Sequence, residues 1–73
     1  MERMLRYSLE REKAIRVMWM DGSRLRQALC TVTALDDDTV TAVTRRPKGT
    51  VVIRMRDILS ADYRKGDEGQ TDD

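Results

Sequence analysis

Histidine and phenylalanine are missing from these 73 residues, and cysteine, proline and tryptophan each occur once. Each gap closes off chemistry. Without histidine there is no Ser-His or Cys-His nucleophile pair. The lone Cys30 excludes a disulfide within the chain, and with no histidine or second thiol the zinc, haem and iron–sulfur ligand sets are missing too. No catalytic residues, metal ligands or cofactors are therefore expected. Apolar runs are short as well: the longest, Val17–Met20, has four residues, against roughly 20 for a membrane span. Met1-Glu2-Arg3-Met4-Leu5-Arg6 is charged with no apolar run behind it, unlike a signal peptide. A single thiol suits a reducing compartment. The expected location is cytoplasmic, with no membrane partner.

Aromatic side chains are scarce: only Trp19, Tyr7 and Tyr63. Modules that hold single-stranded nucleic acid usually offer stacking platforms, so this scarcity weighs against strong nucleic-acid binding. Trp19 alternates with Ile15 and Val17, which places it in a core.

A chain this short buries only about 60% of the surface its unfolded form exposes. Small scaffolds add disulfides, a metal or a second subunit. With the first two excluded, self-association into a homo-oligomer is the expected staple.

Charge is unevenly placed. Residues 1–65 hold all fourteen bases and nine acids, a net of +5, whereas the last eight residues hold four acids and no base. A basic body of this kind favours polyanions. Residues 66–73 contain no apolar side chain, and their composition predicts a disordered acidic tail.

Along the body, Met4, Leu5 and Leu9 recur at helical spacing, with Arg6, Glu10, Arg11 and Lys13 on the other side. Residues 2–12 thus read as one amphipathic helix, too short to stand alone. From Ala14 the period becomes two: Ile15, Val17 and Trp19 alternate with Arg16, Met18 and Met20. Asp21-Gly22 signals a turn. Residues 24–35 form a strand long enough to need a bend or bulge near its middle. Asp36-Asp37-Asp38 makes the next turn, and a third strand spans residues 39–44. A loop follows at Arg45-Arg46-Pro47-Lys48-Gly49, then a fourth strand over residues 50–56, a tight turn at Asp57-Ile58-Leu59 and a last strand over residues 60–64. One helix followed by five short strands, with no crossover helices, predicts a mostly β, small five-stranded SH3/Sm-like barrel occupying residues 1–65.

Two features look chemical and read more simply. The three adjacent carboxylates Asp36, Asp37 and Asp38 do not converge on one magnesium ion unaided, and a polar turn explains them. Cys30, inside an extended strand, reads as a small buried hydrophobe.

The arginines carry the stronger signal. Eleven of the fourteen bases are Arg, whose planar fork suits phosphate and carboxylate and stacks on bases. Arg24 and Arg26 share a strand face at i, i+2, as do Arg54 and Arg56, and Arg45, Arg46 and Lys48 crown one loop. Together these seven are the expected contact set for nucleic acid or another anionic ligand. Blunting of an exposed sheet edge is the competing explanation for them.

The segment Leu5–Tyr63, about four-fifths of the chain, resembles the WYL domain, a bacterial Sm-like β-barrel module. The likeness rests on three elements. A helix precedes the Ile15-Arg16-Val17-Met18-Trp19 strand, a middle strand carries Val40-Thr41-Ala42, and Ile53-Arg54-Met55-Arg56-Asp57-Ile58 is similar to the family's closing Phe-Arg-Leu-Asp-Arg-Ile element. Asp38-Thr39-Val40 stands where the family has Trp-Tyr-Leu. Asp57 occupies the place of the second family arginine, with Arg56 one position earlier. The topology is also similar to that of Sm proteins, whose signature glycines and pocket asparagine are missing here. The resemblance implies a barrel that senses a ligand or binds nucleic acid, in a family of transcription regulators. The resulting expectation is a non-enzymatic regulatory binding module for single-stranded nucleic acid or another anion. Its alternative is a protein-interaction module that docks through an edge strand or the Met18/Met20 face.

Overall fold

A computed structural model describes residues 1–64, so the acidic tail expected over 66–73 lies outside the described residues. The order of elements is α1 (Glu2–Arg11), β1 (Ile15–Asp21), β2 (Arg24–Leu35), β3 (Thr39–Arg45), β4 (Lys48–Arg54), a 3-10 turn (Met55–Asp57) and β5 (Ile58–Tyr63). The five strands form one antiparallel sheet in the order β4-β3-β2-β1-β5. The fold is thus mostly β with one N-terminal helix, as the patterning predicts. The sheet bends toward a barrel without closing: β4 and β5 stand at its two ends, and no ladder joins them among the described residues.

Bending has identifiable causes. The β2–β3 ladder passes from Val32↔Ala42 to Ala34↔Thr41, leaving Thr33 unopposed. The β1–β5 ladder passes from Met18↔Ser60 to Trp19↔Ile58, leaving Leu59 unopposed. An extra residue on one strand bends it and increases the local twist. The bulge at Thr33 lies near the end of the long second strand rather than at its middle. After Arg54 the chain leaves the sheet, and the Met55 amide donates to the Asp38 carbonyl at 2.7 Å, tying the 3-10 turn to the β2–β3 turn. For this reason β4 ends at Arg54, two residues before the patterning predicts, and Arg56 lies in the turn instead of sharing a strand face with Arg54. At its other end β4 starts at Lys48, because Lys48 and Gly49 already pair with Arg45 and Thr44.

The inner face of the sheet follows the period-two pattern. Ile15, Val17 and Trp19 of β1 meet Cys30 and Val32 of β2 and Val40 and Ala42 of β3, all buried. Leu5 of α1 is fully buried in the same cluster. A ten-residue helix is marginal in water by itself, so this packing is what keeps it folded. The helix ends at Glu12, which takes the left-handed conformation (φ 56°, ψ 43°), and the Lys13 amide closes back on the Ser8 carbonyl at 3.2 Å. That is the Schellman arrangement, here without its usual glycine.

Cys30 is fully buried, and desolvation pushes its thiol up to about 11. It is a packed core residue with little thiolate at neutral pH.

Candidate anion-binding surface

β3 and β4 are joined by a two-residue loop, Arg46-Pro47, whose peptide bond is cis. The loop is anchored from inside. Thr44, buried on the inner face, donates its hydroxyl to the Pro47 carbonyl at 2.6 Å and lies 3.2 Å from the Gly49 carbonyl. This fixes a tip on which Arg45 and Lys48 are direct cross-strand partners and Arg46 lies between them. All three are exposed. None makes an ion pair or side-chain hydrogen bond among the described residues, and no residue from Thr39 to Arg56 is acidic. Like charges placed directly opposite on a ladder are destabilising. The fold tolerates that repulsion here with no carboxylate of a described residue to relieve it.

The other four candidate arginines stand elsewhere. Lys48 and Arg54 are the two ends of β4, about 20 Å apart at the strand rise. Arg54 and Arg56 line a surface cleft of about 500 Å³ with Asp37, Asp38, Thr39 and Met55. Neither arginine forms an ion pair among the described residues, although two carboxylates share the cleft. Thr39 is paired to Arg54 across the β3–β4 ladder, which brings the β2–β3 turn beside the end of β4. One wall of the cleft is stiffened by Asp36, whose carboxylate accepts from the Asp38 and Thr39 amides at 2.8 Å each. Those bonds, the Thr39 amide first, hold its pKa below the usual carboxylate value. They also commit Asp36 to the turn.

Arg24 and Arg26 lie near the β1–β2 hairpin. Arg24 is exposed and faces Asp21 in the ladder. Arg26 is engaged: its Nη1 sits 3.1 Å from an Asp21 carboxylate oxygen, and its guanidinium lies 5.4 Å from the centre of the Trp19 ring. Arg54 approaches this hairpin from the β4 side, lining a second cleft of about 420 Å³ with Trp19, Asp21, Gly22 and Asp57. The seven cations thus fall into a tip of three, a cleft pair and a hairpin pair.

The aromatic residues give no stacking platform near the tip. Trp19 is only 5% exposed and lies beneath Arg26. Tyr7 and Tyr63 pack edge to face, ring centres 5.3 Å apart, joining α1 to β5; sequence reasoning did not pair them, because they are 56 positions apart. Among the described residues no group of three or more Cys, Asp or Glu side chains could hold a metal ion, and no helix is long and apolar enough to cross a membrane. No family model, curated protein or solved structure matches this chain.

Proposed function

We propose that this chain is a non-enzymatic, WYL-like regulatory binding module that holds the phosphates of nucleic acid, or another polyanion, on the β3–β4 tip. The observation that carries this reading is the Arg45↔Lys48 cross-strand pair with Arg46 between, exposed and without carboxylate partners among the described residues. A bound phosphate relieves the mutual repulsion of these groups and releases counterions to bulk solution. Arg54 and Arg56 in their cleft, and Arg24 at the hairpin, supply further contacts along a backbone that bends around the sheet. Arg26 is held by Asp21 and contributes less. With so few aromatic side chains, the backbone rather than the bases dominates the contact, so sequence preference is weak.

Fluorescence anisotropy with single-stranded and duplex DNA and RNA, at about 50 and 200 mM salt, tests this reading. Binding that weakens steeply with salt, and loses about three counterions' worth of slope in an Arg45→Gln/Arg46→Gln/Lys48→Gln variant, is the expected result. Absence of binding at the lower salt overturns it.

A second reading has its own observation. Val52, 67% exposed, stands on β4 and Leu59, 55% exposed, on β5, the two strands whose outer edges are unpaired among the described residues. Exposed edges with apolar side chains invite strand addition. The protein-interaction reading therefore centres on these edges, with a second copy or a larger protein as partner. It predicts association that survives salt.

A further inference from the structure

The cleft between the β2–β3 turn and the 3-10 turn sets unlike charges side by side and leaves them unpaired. Asp37 and Asp38 line it from one turn, Arg54 and Arg56 from the end of β4 and the other turn, and Thr39 and Met55 complete the lining. All four charged residues are exposed. Their side chains make no ion pair or hydrogen bond among the described residues. The walls are nevertheless fixed: the Met55 amide donates to the Asp38 carbonyl at 2.7 Å, and Thr39 faces Arg54 in the β3–β4 ladder. Asp36 supplies the bonds that shape the turn, so Asp37 and Asp38 keep their carboxylates for other partners.

Charge and volume narrow what such a cleft takes. Two carboxylates and two guanidiniums sum to zero. A simple anion gains from the arginines and loses to the aspartates, and a simple cation does the reverse. A molecule with an ammonium at one end and a carboxylate at the other gains from both pairs. A guanidinium offers a carboxylate two parallel N–H donors, and a carboxylate accepts readily from an ammonium. Half-buried Met55 adds an adaptable apolar surface to the lining. The volume, about 500 Å³, lies within the range of small-molecule sites and leaves room for an apolar body between the charged ends.

We propose that this cleft is a site for a small zwitterion with an apolar body, of dipeptide size, its ammonium held by Asp37 and Asp38 and its carboxylate by Arg54 and Arg56. The site is distinct from the β3–β4 tip and does not depend on the polyanion reading. Where both hold, a bound zwitterion withdraws Arg54 and Arg56 from the polyanion, and the two ligands weaken one another by the same factor.

The test titrates leucylleucine into the full-length chain and follows amide chemical shifts. Two blocked forms are the comparison: N-acetyl-leucylleucine, without the ammonium, and leucylleucine amide, without the carboxylate. The expected result is a saturable shift centred on Asp38, Thr39, Met55 and Arg56, with a Kd of about 1 mM or tighter. Either blocked form should bind about tenfold more weakly. Arg54→Gln/Arg56→Gln and Asp37→Asn/Asp38→Asn should each cost about tenfold as well. These side chains are exposed and make no bond among the described residues, so the variants keep the fold, which unchanged shifts in β1 and β2 verify.

Arg45→Gln/Arg46→Gln/Lys48→Gln should leave leucylleucine binding unchanged, which separates failure of this site from failure of the tip. Equal binding of N-acetyl-leucylleucine would mean a plain anion site and overturns the inference. No saturable shift at about 10 mM, or shifts centred outside the cleft, overturns it too.

Discussion

The Ser8 hydroxyl accepts the Val32 amide at 2.9 Å and donates to the Lys13 carbonyl at 2.6 Å, from a side chain with no exposed surface. One atom thereby joins the end of α1 to β2. The β1–β2 ladder ends at Ile15↔Cys30, so this hydroxyl serves an amide that β1 no longer reaches. Ser8→Ala leaves a buried donor and a part-buried acceptor without partners and is expected to cost about 2–3 kcal/mol. For a domain of this size that is a large share of total stability. Urea denaturation measures it; a loss below about 0.5 kcal/mol would mean that water takes over both bonds.

Much of this arrangement is legible in the sequence, and the reason for each gap is physical. Ile15, Val17 and Trp19 announce their face through strict alternation, and all three are buried. Ser8 is polar by type, yet it lies three residues after Leu5 on the same helical face. Its position, not its type, was the available signal. Arg54-Met55-Arg56 continues the alternation in the sequence, and only the long-range Met55–Asp38 bond ends β4 at Arg54. The grouping of the seven cations depends on which strands neighbour one another. Spacing along one chain does not carry that information.

Arg26 shields Trp19. Among the described residues it is the only candidate arginine held by both a carboxylate and a ring. The Asp21 pair is solvent-exposed and contributes little, so most of the cost of Arg26→Ala comes from uncovering the indole. The expected loss is about 1 kcal/mol, with a red-shifted tryptophan emission in the folded state. Because Arg26 is engaged, the same substitution should weaken oligonucleotide binding less than Arg45→Ala. Emission unchanged from that of the unsubstituted protein would show that the ring is covered by other groups.

Cys30 makes stability fall on the alkaline side. Its folded pKa of about 11 lies above the ordinary 9.0, so the unfolded thiol ionises first as pH rises. The unfolded state then binds fewer protons, and stability declines through the window from 9 to about 11. Below that window the contribution is complete. The comparison is with Cys30→Ala. That variant is less stable at neutral pH, through loss of the packed sulfur, but its stability falls less steeply between pH 9 and 11. Parallel pH profiles would refute the assignment. A disulfide reagent at pH 8 should label Cys30 only as fast as the domain opens.

The two sheet edges, unpaired among the described residues, decide between a salt-sensitive and a salt-resistant partner. Lys48 of β4 and Asp62 of β5 are both exposed, and Val52 and Leu59 are the exposed apolar residues of the same two strands. Pairing β4 of one copy with β5 of another would bury both apolar side chains and set a base near an acid. The apolar part of such a contact is not screened by salt. If the edges associate, sedimentation velocity will show a larger species as concentration rises, persisting at 200 mM salt, and Val52→Lys will return the protein to monomer. Charged residues on an exposed edge are the natural defence against this contact, and Val52→Lys supplies one without touching the core. A monomer at every concentration would leave the anion-binding tip as the reading to pursue. An oligomer that Val52→Lys does not dissolve would move the interface to the Met18/Met20 face.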